Sequence, residues 1–325
     1  MKKLTVIVNP QARAFRRGGI PPASIAALVG DRGRVLFTES LAQLPGAVRR
    51  ALQTGPSGTV AFVGGDGTLS QGISALVRSS ADEADLPQLL LCPTGTFNYV
   101  ARNLGHRGGA LDGLSAFVQG GLRARKAHPV LQLDWQTQQH FGFFFAWGVG
   151  YRMLRHFYAQ GRKHKPGAWT AMRVVAEGIM HAGTPIGPSL HLFRSRDCDL
   201  HIDGHSSVLP APYSLVAGTI DSVSLGLRPF PERPPQAPPR LRLTAHSMPR
   251  LQLLRHLPQV IYAAPGRDKL KLPGLMDAEV ANSAHCVLDE GFTIDGEVFD
   301  LSEPAVVTLR YGPRLRIWQM PAGWG

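Results

Sequence analysis

The chain has 325 residues, of which 44% are hydrophobic and 18% are charged, and its formal net charge is +12 at pH 7. This length exceeds the size of about 250 to 300 residues at which one hydrophobic core usually divides, so we expect two domains. The composition excludes a disordered chain. Three scattered cysteines, Cys92, Cys198 and Cys286, do not form a disulfide framework, which favours a reducing, cytoplasmic location.

Membrane-spanning and secretory segments are not expected from this sequence. The richest apolar run, Phe141 to Tyr151, is far shorter than the roughly 20 residues that cross a bilayer as a helix. The apolar run at the start of the chain stops at Asn9-Pro10, before the length of about 7 to 15 residues that a secretory signal needs. We therefore interpret the start as a first β-strand.

Strands and helices alternate over the first 125 residues or so. This alternation predicts right-handed crossovers and a doubly wound, mostly parallel sheet, in which ligands bind beyond the carboxyl ends of the strands. The predicted strands are 4–8, 34–37, 60–63 and 89–92, and the predicted helices are 22–29, 44–53, 70–78 and 98–104.

A glycine-rich turn follows the third predicted strand, in the run Val60 to Leu69. Three glycines in four positions, Gly64, Gly65 and Gly67, allow a bulky anion to approach the backbone N–H groups. A helix that begins near Ser70 would point its positive end at this pocket. A plain turn between a strand and a helix rarely needs more than one glycine, so the pattern favours phosphate binding.

A second turn of the same kind follows the next strand, in the segment Leu91 to Arg102. It contains Gly95, the hydroxyls of Thr94 and Thr96, and the amide of Asn98. Helix capping would explain either threonine alone but not the pairing of two such turns. We expect both turns to face one nucleotide site.

Two further loops give weaker signals. Asn9 follows the first strand, where asparagine commonly closes a turn with a local hydrogen bond. Thr38 ends the second strand and could reach a nucleotide, although a cap on the next helix is the favoured interpretation.

The texture changes after about His128, where short strand-like pieces alternate with glycine and proline. This pattern predicts an antiparallel, β-rich second domain with one helical stretch at about 151–181 and an exposed proline-rich loop at 230–239. The predicted strands are 130–135, 141–149, 190–193, 199–202, 213–217, 240–245, 284–288, 292–294 and 306–309.

The positive charge is concentrated between Trp135 and Arg196, where eight basic residues and the single acid Glu177 leave +7. Tyr151, Leu154, Phe157 and Tyr158 recur at helical spacing beside Arg152, Arg155 and His156. Such a helix could lie on an anionic lipid surface, and an ordinary helix that packs against the core is an equal alternative. Nucleic acid is not expected, because no nucleic-acid-binding signature accompanies the charge.

Asp295-Gly296-Glu297 places two acids on either side of a glycine near the end of the chain. Asp-Gly is a strong hairpin signal. The same acids could instead supply a general base, since a hydroxyl that attacks phosphorus must lose its proton to a positioned carboxylate. The sequence leaves both interpretations open.

These motifs, in their order and spacing, resemble the diacylglycerol kinase catalytic family, which includes bacterial lipid kinases and sphingosine kinases. The resemblance spans nearly the whole chain, and Pro93 to Asn98 is its most discriminating part. It implies an NAD kinase/diacylglycerol kinase-like nucleotide-binding α/β domain at 1–127, onto which residues 312–325 could pack back. A C-terminal antiparallel β-sandwich at 128–311 would receive the lipid.

The resemblance also implies the cofactors, ATP and Mg²⁺, and the roles of individual residues. Asp295 would be the general base with Glu297 beside it, although which of the two acts is open, and Asp66 would orient the metal or a donor. The residues implied at the nucleotide are Asn9, Thr38, Gly64, Gly65, Asp66, Gly67, Thr68, Leu69, Ser70, Gly95, Thr96 and Asn98.

Two segments depart from the family pattern. Gln11-Ala12-Arg13 follows Asn9-Pro10 where the family has Ser/Thr-Gly and a basic residue. Many bacterial members hold a structural magnesium through aspartates that the matching segment, Leu227 to Gln236, does not contain. We therefore expect that metal site to be absent, and no metal ligands are assigned.

The sequence thus predicts a cytoplasmic, peripherally membrane-associated kinase that transfers the γ-phosphoryl of MgATP to a diacylglycerol-like or sphingoid lipid. Two alternatives remain: a catalytically silent lipid-binding or regulatory protein of the same fold, and a kinase for a soluble acceptor such as NAD. The particular lipid and the oligomeric state stay open, with a homodimer as one option.

Overall fold

The computed structural model describes residues 3–16, 21–95, 97–106, 108–109, 111–122, 125–161, 192–196, 198–207, 209, 211–234, 237–262 and 272–320. The chain divides into two compact units. Unit 1 comprises residues 1–130 and 312–325, and unit 2 comprises residues 131–311.

Unit 1 is built on a parallel sheet with the strand order β2-β1-β3-β4. The last strand of the chain, β16, extends this sheet in parallel with β4, where Arg316 pairs with Gln88. The strands are β1 (Leu4–Val8), β2 (Gly33–Phe37), β3 (Thr59–Gly64), β4 (Gln88–Pro93) and the end of β16 (Ala305–Trp318). The helices are α1 (Arg13–Arg16), α2 (Pro22–Val29), α3 (Leu44–Leu52), α4 (Asp66–Arg78), α5 (Tyr99–Asn103) and α6 (Asp112–Val118).

Both faces of the central strands β1, β3 and β4 are buried, which explains their nearly continuous apolar sequences. On β1, Val6 and Val8 join a core cluster with Ile25 and Val29 of α2. Helix α4 packs closely against β3. The glycine at position 72 permits this approach, since a Cβ atom there would lie 2.4 Å from the ring of Phe62. The edge strand β2 is only partly buried.

The four predicted strands and four predicted helices of the first 125 residues are all present, whereas helices α1 and α6 and the end of β16 were not predicted. The start of one predicted helix also differs. Helix α4 begins at Asp66, earlier than the predicted start near Ser70. Two glycines in the turn suggest a loop by propensity. Burial of Leu69, Ile73 and Leu76 nevertheless holds the segment helical from Asp66 onward.

Unit 2 contains two antiparallel arrays among its described residues. One is a sheet with the order β12-β11-β10-β7-β14-β15, and the other pairs β16 with β13, β8 and β9, while β5 and β6 form a hairpin. The new strands are β5 (Arg125–Trp135), β6 (Gln138–Gly142), β7 (Phe144–Gly148), β8 (Leu200–Ile202), β9 (His205–Ser206), β10 (Ser214–Gly218), β11 (Leu241–His246), β12 (Leu275–Val280), β13 (Ser283–Leu288), β14 (Phe292–Ile294) and β15 (Glu297–Phe299). The helices are α7 (Val149–Gly161), α8 (Arg250–Arg255) and α9 (Leu257–Tyr262).

One apolar core joins the two arrays of unit 2. Trp147 of β7 and Leu243 of β11 belong to the same buried cluster as Cys286 of β13 and Val307 of β16. The cluster is the interior of a β-sandwich, in which inward-facing side chains of two sheets interdigitate. The predicted fold class, a parallel α/β sheet followed by an antiparallel β-rich region, is confirmed.

Three sequence predictions in unit 2 need correction. The single strand predicted at 141–149 is two strands broken at Phe143, and Val149 already belongs to α7. Residues 192–193 are not a strand, and 190–191 lie outside the described residues. The loop predicted as exposed at 230–239 is exposed or half-buried over its described residues except at Phe230, which is 2% exposed because its ring packs beneath the guanidinium of Arg242.

Candidate functional site

The first glycine turn places the N terminus of α4 directly after β3. Gly65 is the N-cap residue, its φ and ψ are −81° and 178°, and it has no side chain that could cap the helix. The four N–H groups of a first helical turn have no partner within the helix, and the helix dipole is positive there. An uncapped N terminus of a 13-residue helix is therefore suited to bind an anion.

The three glycines of this turn have different surroundings. A Cβ atom on Gly64 would lie 2.5 Å from the Thr68 side chain, and one on Gly65 would lie 3.3 Å from Cα of Gly95. A Cβ atom on Gly67 would have no described atom of its surroundings within 4 Å. Packing within unit 1 thus explains Gly64 and Gly65 but not Gly67, whose open surroundings leave room for a bound group.

The second glycine turn lies against the first, as predicted. The N–H of Thr94 donates to the carbonyl of Gly64 at 2.8 Å. A Cβ atom on Gly95 would lie 2.7 Å from Cα of Gly65. Asn98 adopts a left-handed conformation with φ 54°, and its side-chain Oδ1 accepts from the N–H of Gly95 at 2.8 Å.

Asp66 ties the two turns together instead of facing solvent alone. Its Oδ2 accepts from the N–H of Asn98 at 2.7 Å, and its Oδ1 accepts from the N–H of Val100 at 3.1 Å. Burial raises the pKa of Asp66, and these hydrogen bonds and the nearby charge of Arg102 oppose that rise. The carboxylate caps the start of α5, a task that sequence reasoning did not foresee.

Asn9 and Thr68 connect the first strand to the glycine turn. The Asn9 amide Nδ2 donates to Thr68 Oγ1 at 2.8 Å, and Asn9 Oδ1 accepts from the N–H of Gln11 at 2.9 Å. The N–H of Asn9 also donates to the carbonyl of Val63 at 3.0 Å. Asn9 therefore fixes the turn by closing its own loop and bonding to Thr68.

Three of the residues expected at the nucleotide are buried inside unit 1. The Thr38 hydroxyl donates to the Val8 carbonyl at 3.2 Å and caps no described helix, which corrects the favoured interpretation. Leu69 is 0% exposed and its N–H donates to Gly65, so Leu69 offers nothing to a ligand. Ser70 is only 6% exposed. Thr96 lies outside the described residues.

Thr94 is a polar residue at this site that the sequence did not single out from its neighbours. It is 3% exposed, and its Oγ1 is buried without a hydrogen-bond partner in the part of the chain that the structure describes. Its carbonyl accepts from the N–H of Ala14 at 3.2 Å. The signal in the sequence was its place between Pro93 and Gly95, where a strand ends at a turn.

In unit 2, Asp295 lies in the two-residue turn between β14 and β15. Its φ is +48° and that of Gly296 is +89°, which is the conformation that favours Asp-Gly in tight hairpins. Its carboxylate is buried and accepts from the N–H of Phe143 at 3.0 Å and from the N–H of Phe144 at 2.9 Å. Gly142 leaves the space that the carboxylate occupies, since a Cβ atom there would lie 2.6 Å from Oδ2.

Glu297 differs from Asp295 because its side chain is exposed. Tyr158 of α7 lies beside it and donates from Oη to the carbonyl of Gly296 at 2.8 Å. Burial raises the pKa of Tyr158, and the charge of Glu297 adds to this rise. The hairpin interpretation of Asp295-Gly296-Glu297 is therefore correct, and the accessible carboxylate of the pair is that of Glu297.

The basic helix predicted near a lipid surface is partly neutralised in unit 2. Arg152 forms a 2.6 Å ion pair with Glu290, and both side chains are largely buried. Arg155 lies 3.6 Å from Asp300, which also accepts from the Tyr151 hydroxyl. The described part of the helix thus uses Arg152 and Arg155 in packing, and residues 162–181 lie outside the described residues.

No group of three or more metal-binding side chains occurs among the residues that the structure describes. Mg²⁺ commonly binds through one or two carboxylates together with substrate phosphates and water, so a cluster is not required. Asp66 is the carboxylate beside the N terminus of α4, and both of its oxygens already accept N–H groups. Within the described ranges, no helix is long and apolar enough to cross a membrane.

Comparison with known proteins identifies the domain to which this parallel sheet and its two glycine turns belong. Residues 3–128 match the family model for the diacylglycerol kinase catalytic domain. Unit 1 thus carries a diacylglycerol kinase catalytic domain, which confirms the resemblance seen in the motifs. A domain of this family implies a kinase, that is, a phosphotransferase.

Solved structures support the same fold. A candidate diacylglycerol kinase from Bacillus anthracis aligns with a TM-score of 0.71 and 16% identity, over 99% of this chain and 96% of that one. A diacylglycerol kinase from the same organism aligns with a TM-score of 0.63 and 14% identity, over 99% and 98%. Yeast NADH kinase aligns with a TM-score of 0.50 and 9% identity, over 99% and 85%. No curated protein sequence shows significant similarity to the chain.

Proposed function

We propose that the chain is an ATP-dependent lipid kinase that phosphorylates a hydroxyl of a diacylglycerol-like or sphingoid lipid. The observation that carries the proposal is the uncapped N terminus of α4 at Gly65, held against the second glycine turn at Gly95. The family match to residues 3–128 supports it. On this proposal residues 1–127 bind the nucleotide, and the lipid acceptor belongs to residues 128–311.

The glycine turns fit the phosphates of ATP. Gly67 has open space where a side chain would stand, and the first-turn N–H groups of α4 are donors suited to phosphate oxygens. Asn9 and Asp66 hold this cradle in shape, the first through Thr68 and the second through Asn98. Bound MgATP would supply the γ-phosphoryl group and the metal charge that stabilises its transfer.

The acceptor hydroxyl needs a carboxylate to remove its proton. Asp295 was the first choice from the resemblance, but two backbone N–H groups hold its buried carboxylate. Glu297 is exposed on the other side of Gly296, so we assign proton removal to Glu297 and the positioning of the hairpin to Asp295.

The proposal is tested by incubating the purified protein with labelled ATP, Mg²⁺ and a total lipid extract and then identifying the labelled product. A labelled lipid supports the proposal. Labelled NAD in a parallel assay, with no labelled lipid, replaces it with a soluble-acceptor kinase. Because the substrate is a lipid, we expect the protein to work at the cytoplasmic surface of a membrane.

A catalytically silent lipid-binding protein is the second candidate, and the engaged carboxylate of Asp295 favours it. Calorimetry with MgATP separates the two candidates. A kinase must bind the nucleotide, so absence of binding together with absence of labelled lipid identifies the silent protein. Binding of MgATP that Gly67→Ala weakens supports the kinase.

A further inference from the structure

Unit 1 carries a surface groove that shares no residue with the glycine turns. It has a volume of about 500 Å³ and lies beside the edge strand β2 and helix α3. We name it the arginine groove after the side chains that dominate it. It is lined by Phe37, Gln43, Gly46, Arg49, Arg50 and Gln53.

The cations of the arginine groove are not neutralised by any described acid. Arg49 and Arg50 stand exposed in the last turn of α3, and neither side chain forms an ion pair with any residue that the structure describes. Glu39 is the nearby acid, and its backbone N–H donates to the side chain of Gln43 at 2.9 Å. Its carboxylate makes no ion pair within the described residues.

A third arginine fixes one end of the groove. Arg34 of β2 donates from Nε to Thr5 Oγ1 at 3.0 Å and from Nη1 to Gln53 Oε1 at 3.2 Å, and it also donates to the carbonyl of Arg50. These contacts join β2 to the end of α3. The last turn of α3, which carries Arg49 and Arg50, is therefore held against β2 by these hydrogen bonds.

Exposed apolar side chains lie at and beside the groove: Phe37 lines it, and Leu41 stands two residues before Gln43, which also lines it. Phe37 and Leu41 are each 43% exposed, and both are among the most exposed large hydrophobic residues of the described chain. Phe37 ends β2, and Leu41 begins the short 3₁₀ helix Leu41–Gln43 that precedes α3. An interfacial membrane contact combines exposed apolar residues with basic residues. The groove has both, because Phe37 lines it together with Arg49 and Arg50, which form no ion pair within the described chain.

We propose that the arginine groove docks unit 1 on an anionic lipid bilayer. Arg49 and Arg50 would bind lipid phosphates, with the charge-assisted geometry that guanidinium groups offer, while Phe37 and Leu41 enter the interfacial region. Charge complementarity favours this occupant, because the chain carries +12 and the arginines of α7 are already paired with Glu290 and Asp300. The inference rests on the proposed function, since a lipid acceptor has to be met at a bilayer.

Vesicle sedimentation tests the docking surface. The full chain is mixed with vesicles of phosphatidylcholine alone or of phosphatidylcholine with phosphatidylglycerol. The double variant R49Q/R50Q should bind the anionic vesicles about 10- to 30-fold more weakly, from about 1 kcal/mol for each basic residue. F37S/L41S should also weaken binding, and added salt should weaken the parent more than R49Q/R50Q.

The matched control is R78Q/R314Q, which removes two exposed arginines of unit 1 from outside the groove. If binding depends on the position of the arginines in the groove, the affinity of this control for the anionic vesicles should be within about twofold of the parent's. The inference is overturned if the parent and R49Q/R50Q bind anionic vesicles equally. It is also overturned if the parent binds anionic vesicles no better than vesicles of phosphatidylcholine alone. Circular dichroism confirms that each variant is folded.

Failure of the inference is distinguishable from failure of the proposed function. R49Q/R50Q should phosphorylate a short-chain diacylglycerol, dispersed without vesicles, as fast as the parent, and lose activity only on anionic vesicles. If neither protein phosphorylates any lipid while vesicle binding still depends on Arg49 and Arg50, the proposed function fails and the docking surface is retained. If both phosphorylate lipid on vesicles equally, the docking surface fails and the kinase is retained.

Discussion

Gly65 and Gly95 touch across the ends of two neighbouring strands, so that a Cβ atom on Gly95 would lie 2.7 Å from Cα of Gly65. The contact brings the two glycine turns together, and only backbone fits between them. Each turn follows its own strand of the parallel sheet, β3 or β4. The shape of the paired glycine turns therefore depends on residues that are 30 positions apart in the sequence.

Gly95→Ala should destabilise unit 1 and weaken MgATP binding together. The added methyl group would overlap with backbone that cannot move as a side chain can, and overpacking of this kind costs about 1 to 3 kcal/mol. Urea unfolding and calorimetry with MgATP would measure both effects. An unchanged free energy of unfolding would show that the turns do not touch in solution.

Gly67→Ala is the matched contrast, because its methyl group would meet no described atom of its surroundings. Alanine is a better helix former than glycine, so the free energy of unfolding should rise by up to about 1 kcal/mol. MgATP binding should nevertheless weaken by about 1 to 3 kcal/mol, because the methyl group hinders hydrogen bonds to charged phosphate. Unchanged MgATP affinity would contradict the proposal that the phosphates bind at the N terminus of α4.

Asp66→Asn should change how stability depends on pH. Burial raises the pKa of Asp66 above 3.8, so the folded state binds more protons than the unfolded state in the window between 3.8 and the raised value. The contribution of Asp66 to stability is therefore complete below pH 3.8 and declines as pH rises through the folded pKa. The variant should lack this decline.

At pH values above the folded pKa of Asp66, the free energy of unfolding of the same variant should be about 1 kcal/mol lower than that of the parent. The reason is that an amide offers one acceptor oxygen where the carboxylate has two. The free energy of unfolding, followed by urea titration at a series of pH values, measures both terms. Parallel curves for parent and variant would contradict the pKa assignment.

Asp295→Asn and Glu297→Gln should separate positioning from catalysis. Asp295→Asn would replace the Oδ2 acceptor of the Phe143 N–H by an NH₂ donor, so that one oxygen is left to accept from the N–H groups of both Phe143 and Phe144, at a cost of about 1 to 3 kcal/mol in stability. Glu297→Gln changes an exposed side chain, so its free energy of unfolding should stay within about 0.5 kcal/mol of the parent.

In the lipid-kinase assay, Glu297→Gln should lower kcat by about 100-fold or more, in line with loss of a general base. MgATP affinity, measured by calorimetry, should not change. A fully active Glu297→Gln variant beside a stable but inactive Asp295→Asn variant would reverse the two roles.

Arg242→Met should destabilise unit 2. Arg242 is 4% exposed, and it donates to the carbonyls of Ile220 and Pro231 and pairs with Asp221. Burial lowers its pKa to about 10, opposed by the charge of Asp221, so the guanidinium stays charged at neutral pH. Asp221 is 63% exposed and keeps Arg233 as a partner, so the main cost is the loss of the hydrogen bonds to the two carbonyls, about 1 to 3 kcal/mol.

Arg240→Met is the matched control, because the Arg240–Glu279 pair is about half exposed on both sides. Its loss should cost no more than about 1 kcal/mol. Thermal unfolding of the two variants gives the comparison. Equal effects would show that burial of Arg242 contributes nothing to the stability of unit 2.

The sequence by itself determined strands β1 to β4, most of the helices and the family of unit 1, but not the end of β16 that joins the same sheet. Apolar runs such as Leu4 to Val8 and glycine turns such as Gly64 to Gly67 are local signals, because burial on both faces of a strand and the freedom of glycine are written in adjacent residues. The Asp-Gly pair at 295–296 likewise specified its hairpin through the conformation that such turns require.

Only the tertiary structure decided which groups remain available for chemistry. The carboxylate of Asp66 accepts N–H groups 32 and 34 residues away, and that of Asp295 accepts N–H groups 151 and 152 residues away. Thr38 is buried for the same reason, since its hydroxyl donates to the carbonyl of Val8 on the neighbouring strand. Hydrogen bonds over such separations depend on the packed fold, which no local pattern encodes.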